Sequence, residues 1–193
     1  FAAALRELGL VVPDAPGLLD VSVAYSTAVD AQLARGRNRT DLAELAQLAG
    51  VETINTTVGP KAASLFGTGP DEVRAAFAAL ATPAQFGEFG RRFFATFTFK
   101  SLDYFVSRAL PDETGAGKRF PTVAAQHKFT EALRTHCRQA SEIVATFGKE
   151  WFDKHKFRTA GDIDREATKG FLGYAVGAKL TGELRRREGR RGD

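Results

Sequence analysis

The sequence predicts an all-α fold: a single-domain bundle of six or seven helices around a central Phe-rich helix, with a long antiparallel helical hairpin. Three observations predict it. Apolar residues recur at spacings of three and four along almost the whole chain, the period of one helical face. Pro and Gly punctuate that period at helix-length intervals. The one β-branched run, from Val51 to Val58, has no second strand to pair with and therefore reads as helix. The 193 residues, 44% apolar and 10% aromatic, suit one domain over 1–184 followed by a basic arm, 185–193. The apolar content excludes a disordered chain, and the single cysteine, Cys137, excludes a disulfide scaffold. No apolar run approaches the roughly 18 residues of a membrane span.

The elements follow in order. Phe1-Ala-Ala-Ala-Leu-Arg opens inside a helical pattern, with no basic segment and apolar stretch of a secretory leader; with one cysteine, this reads as cytoplasmic. After Pro13–Gly17, the stripe Leu18, Val21, Tyr25, Val29 and Leu33 predicts a helix stopped at Gly36. Thr40 or Asp41 caps the next helix, whose inner face is Leu42, Leu45, Leu48 and Ala49. Gly59-Pro60 is expected to open a short helix ending at Phe66-Gly67. Pro70 at a first helical position, with Asp71 and Glu72 beside it, opens another, because the helix dipole favours acids there. Thr82-Pro83 repeats the device and starts an uninterrupted helix to Leu110-Pro111. Its Phe86, Phe89, Phe93, Phe97 and Tyr104 share one face, which marks it as the central element. A loop over 112–118 leads to a helix from about Pro121 to Phe157, and a last helix runs from near Asp162 to about Arg187.

The sequence is poor in chemistry. His127 and His136 stand nine residues apart on one helix, on opposite sides at about 100° per residue, so they cannot share a metal there. Asp162, Asp164 and Glu166 resemble the start of a calcium loop, but Ala167 and Gly173 stand where it needs glycine and glutamate. Gly115, Gly117 and Lys118 resemble a phosphate loop, yet Asp112 replaces its first glycine and Arg119 its Ser or Thr. What survives is an anion-friendly position for Lys118 and Arg119 just before a helix N-terminus. There is no Gly-x-Ser-x-Gly, and Glu131, Arg134, Arg138 and Glu142 read as an ion-paired outer face. Trp151, Phe152, His155 and Phe157 among Lys149, Lys154 and Lys156 read as a helix end that buries its aromatics while its lysines reach water. Nothing calls for a cofactor or a metal.

Two surfaces remain. Gly170, Gly173 and Gly177 form a nearly side-chain-free helical face beside Leu172, Val176, Leu180 and Leu184. Each glycine costs roughly 0.8–1.0 kcal/mol against alanine, so the face is expected to meet another helix at close range, within the bundle or across a dimer. Arg185, Arg186, Arg187, Arg190 and Arg191 concentrate three of the four net positive charges in the last nine residues. A near-neutral body leaves any nucleic acid or acidic partner to that arm. The sequence therefore reads as a non-enzymatic interaction or adaptor protein, working on a protein partner or a second copy through these two elements. The alternative is a small enzyme or ligand-binding protein with a pocket assembled near His127, His136, Lys118 and Arg119.

Overall fold

The computed structural model describes residues 1–36, 40–63, 68–158 and 165–175, together with 177, 181, 182 and 185. Eight helices make up the described residues, and the extended backbone pairs only in an isolated bridge between Thr114 and Phe120. The all-α class is thus as expected. The chain divides into two compact units, 1–85 and 86–193.

The first unit begins with α1 (Ala2–Glu7). Gly9, at φ +86°, ends it in the left-handed conformation that glycine adopts without strain. Its amide donates to Arg6 O at 2.9 Å and the Leu10 amide to Leu5 O at 3.0 Å, closing a Schellman motif. The helices α2 (Leu18–Gly36), α3 (Asp41–Ala62) and α4 (Pro70–Ala78) pack in sequence, α3 against both others. Thr40 caps α3 as expected, its hydroxyl accepting from the Ala43 amide at 3.2 Å. The β-branched run is helical, inside α3.

Two details of this unit differ from the sequence reading. Gly59-Pro60 closes α3 instead of opening a new helix. The clash that keeps a residue before proline out of helical geometry involves its Cβ, and Gly59 has none. The predicted end of that short helix, Phe66-Gly67, lies outside the described residues. The inner face of α3 is also rotated: Leu42 and Leu48 are exposed, while Ala49, Gly50, Thr53, Ile54, Thr57 and Val58 are buried. The Tyr25 ring of α2 lies over Gly50, where an added Cβ would come within 2.2 Å of its hydroxyl. The missing Cβ at Gly50 admits that ring, and burial pushes the Tyr25 phenol above its ordinary pKa.

The second unit holds most of α5 (Pro83–Ala109), then α6 (Val123–Ala140), α7 (Glu142–Arg158) and α8 (Arg165–Tyr174). The expected stop at Leu110-Pro111 and a start beside Pro121 are both present, the latter capped by Thr122, which accepts from the Ala125 amide at 3.2 Å. Helix α5 runs antiparallel to α6 and α7: its Gly87 meets Ala145, Gly90 meets Val144, and Phe99 lies under Arg134, whose guanidinium carbon is 3.9 Å from the ring centre. The single helix expected over 121–157 is interrupted at Ser141, whose carbonyl accepts from the Val144 amide at 3.0 Å in a tightened turn. Ser141 is fully buried and its hydroxyl has no partner among the described residues.

The core of this unit is Phe94, Ala140, Val144, Phe171 and Ala175, flanked by Phe86, Phe93, Ile143, Phe147 and Trp151. The expected stripe on α5 is therefore one step off. Phe86, Phe89, Phe93, Phe97 and Tyr104 are half-buried, and the deepest residues are Gly87, Gly90, Phe94 and Phe99. Glycines at 87 and 90 bring α7 onto that side of α5, which turns the aromatic stripe to the flank of the contact.

Candidate functional site

Helix α8 is fixed by the aromatic residues on one side of it. Phe171 is 4% exposed and Ala175 fully buried. The Phe171 ring lies 5.4 Å from Phe86, 5.4 Å from Phe147 and 4.9 Å from Trp151, so three rings of α5 and α7 hold it. At about 100° per residue, a helix facing inward through 171 carries 170 and 173 away from that side, and Gly177 follows beyond the end of α8. Gly170, Gly173 and Gly177 are accordingly exposed, and a Cβ added at any of them would meet nothing within 4 Å. Leu172 and Tyr174 beside them are 40% and 48% exposed. Of the apolar stripe expected next to the glycines, Val176, Leu180 and Leu184 lie outside the described residues.

Close approach of helix backbones through glycine does occur in this chain, at Gly87 and Gly148, to which the sequence reading gave no role. A Cβ on Gly87 would lie 2.3 Å from Ala145 O and 3.1 Å from Lys149 N. A Cβ on Gly148 would lie 3.0 Å from Gly87 Cα. The signal was legible: Gly87 and Gly90 sit three apart on a helix otherwise crowded with phenylalanine, and Gly148 lies on the helix that returns beside it. The glycines of α8 share this spacing, with no neighbour against them among the described residues.

The arginine arm is described only at Arg185, which is exposed. Arg186, Arg187, Arg190 and Arg191 lie outside the described residues, as do Asp162 and Asp164; Glu166 pairs with Lys169 at 3.5 Å on the surface of α8.

The remaining candidates are spread over the α5–α6 connection and α6. Lys118 and Arg119 are exposed in a loop shaped by Gly115 and Gly117, at φ +140° and +75°. Two amides there are already engaged, Gly115 donating to Phe120 O at 2.8 Å and Lys118 to Gly115 O at 3.1 Å, which leaves less of an anion cradle than the sequence suggests. His127 is exposed and His136 half-buried on α6. A half-open cleft of about 200 Å³ beside the loop includes Arg119 in its lining but not His127, His136 or Lys118. The four residues are thus not brought together in it.

Cys137 is fully buried, and burial pushes its thiol up to about 11, so it is a packing residue with no nucleophilic character. Glu88 is the most perturbed carboxylate: Arg91 donates to it twice at 2.7 Å and Arg92 once at 2.8 Å, holding its pKa down at about 2. Both partners sit one turn away on α5, the arrangement of a helix-surface ion pair. The outer face of α6 carries one such expected pair, Arg134 with Glu131 at 3.8 Å. In the basic-aromatic segment Phe152 is buried against Phe86 at 5.0 Å while Lys149 and Lys154 are exposed, as a helix end with solvated lysines requires. No group of three His, Cys, Asp or Glu side chains among the described residues is placed to hold a metal, and no described helix is long and apolar enough to cross a membrane. No family model matches the chain, and neither a curated protein nor a solved structure is similar to it.

Proposed function

We propose that this chain is a non-enzymatic interaction or adaptor protein that receives a helix of a protein partner, or of a second copy of itself, on the glycine face of α8. The observation that supports this reading is the open Gly170, Gly173 and Gly177 face, directed away from the Phe171 and Ala175 anchor and flanked by exposed Leu172 and Tyr174. A solvated helix face gains nothing from glycine, which costs roughly 0.8–1.0 kcal/mol per position against alanine. The same residue type lets α5 and α7 touch at Gly87 and Gly148, so the α8 face has the form of a crossing whose second helix is supplied from outside. The arginines of 185–191 would serve an acidic partner, nucleic acid included, because guanidinium groups pair with phosphate or carboxylate in a bidentate way. The single, buried Cys137 fits a reducing, cytoplasmic setting.

The test is association measured on three proteins: the parent, Gly173→Leu and a variant ending at Leu184. Sedimentation equilibrium reads self-association, and pull-down reads a heterologous partner. A Cβ at 173 meets nothing within 4 Å among the described residues, so the fold should be kept while association is lost. Labelled RNA and duplex DNA titrated at two salt concentrations test the arm, whose removal should flatten the salt dependence. A parent that associates with nothing, or a Gly173→Leu protein that associates as the parent does, would overturn the reading.

A further inference from the structure

The half-open cleft beside the α5–α6 connection lies far from the glycine face in sequence and has its own chemistry. Its walls are Val106 and Leu110 from the end of α5, and Phe120 and Phe129 from either side of the α6 N-terminus. The two phenyl rings stand 5.2 Å apart, and Leu110 is 5% exposed. The walls are braced by hydrogen bonds within the connection. The Phe120 amide donates to Glu113 O at 2.9 Å, Gly115 to Phe120 O at 2.8 Å, and the Thr114 hydroxyl to Leu110 O at 2.6 Å. Residues 113 and 120, both in the lining, are therefore tied to each other.

Ala109 and two charged residues, Glu113 and Arg119, complete the lining. Neither makes a side-chain hydrogen bond or an ion pair among the described residues. Both are exposed, so an apolar occupant would leave them to water and gain nothing from either. A monoanion would engage Arg119 alone, and a monocation Glu113 alone. A ligand carrying both signs answers both, its carboxylate on the guanidinium and its ammonium on the carboxylate. Size narrows the class further: at about 200 Å³ the cleft falls below the roughly 300–1,000 Å³ of sites for drug-sized ligands. We infer that this cleft binds a small zwitterion with an apolar body, in size and charge a free α-amino acid with a leucine- or phenylalanine-sized side chain.

The experiment is a titration of the full chain, ¹⁵N-labelled, with L-phenylalanine, 3-phenylpropionate and phenylethylamine as probes. The inference expects saturable shifts of the Leu110, Phe120 and Phe129 amides at millimolar phenylalanine. Each analogue lacks one charge and should bind about tenfold more weakly, the worth of one charge-assisted hydrogen bond. Arg119→Ala should weaken phenylalanine by a similar factor and leave phenylethylamine unchanged; Glu113→Gln should do the same with respect to 3-phenylpropionate. Both residues are exposed, so the variants should keep the parent circular dichroism spectrum. Shifts that do not saturate, three probes that bind alike, or variants that bind as the parent does would each overturn the inference. Because it touches no residue of α8, its failure leaves the helix-docking reading standing, and the reverse holds as well.

Discussion

Gly87→Ala sets the α5–α7 contact against helix propensity, and the geometry decides the sign. Alanine at an open helical position is worth roughly 0.8–1.0 kcal/mol over glycine. At position 87 the new methyl would lie 2.3 Å from Ala145 O and 3.1 Å from Lys149 N, both backbone atoms that cannot rotate away. Relieving the collision means moving α7 off α5 by about an ångström and opening the packing around Val144 and Phe94. Overpacking of this kind costs typically 1–3 kcal/mol, and two backbone collisions put it at the upper end. After the propensity gain, a net loss of about 2 kcal/mol is expected. Gly90→Ala is the internal control: its Cβ would meet Val144 Cγ1 at an ordinary 3.5 Å, so the propensity gain should survive as about 0.8 kcal/mol of added stability. The assay is urea unfolding followed by the fluorescence of Trp151, whose ring lies 5.6 Å from Phe86 and 4.9 Å from Phe171 and so reports this contact. The two variants should be separated by nearly 3 kcal/mol, in opposite directions from the parent. Gly87→Ala at or above parent stability would refute the close crossing.

Further outcomes follow from single groups. Ser141→Ala removes a fully buried hydroxyl that has no partner among the described residues, and should leave stability unchanged or raise it by up to about 1 kcal/mol, read from the same urea curves. Glu88 titrates at about 2 in the folded chain against about 4.5 when free, so its contribution is complete above pH 4.5 and is lost as pH falls toward 2. Glu88→Gln should therefore flatten the acid limb of the stability–pH profile in that window. With its thiol at about 11 and no exposed surface, Cys137 should resist a thiol reagent at pH 8 in the native chain and react at once in urea; rapid native labelling would show that α6 opens.

Much of the architecture is legible in the sequence because it depends on local chemistry. Thr40 and Thr122 cap helices through their own hydroxyls, Pro70 and Pro83 open them, and Pro111 follows the end of α5, all within a few residues of the feature they specify. What the sequence obscures is set by neighbours distant along the chain. Treating glycine as a blank in the apolar pattern places the core of α5 on its phenylalanine stripe, whereas α7 comes to rest on Gly87 and Gly90. The same blindness turns α3 onto Leu42 and Leu48, since nothing local says that Tyr25 will lie over Gly50. At Ser141 the period of three and four runs through without Pro or Gly, so the interruption leaves no mark. On α8 the glycine spacing was legible, and its direction was not: the three rings around Phe171 turn the face outward.

The most direct test of the helix-docking account is photo-crosslinking by benzoylphenylalanine at position 172, where the side chain is exposed beside Gly173 and is not part of the Phe94–Phe171 core. Irradiation of the purified chain and of native extract, with mapping of the joined peptide, reads what lies on that face. The account predicts a crosslink to one helical segment, of a second copy or of one partner, that disappears in Gly173→Leu. Absence of any crosslinked product, or a product that persists in Gly173→Leu, would contradict it.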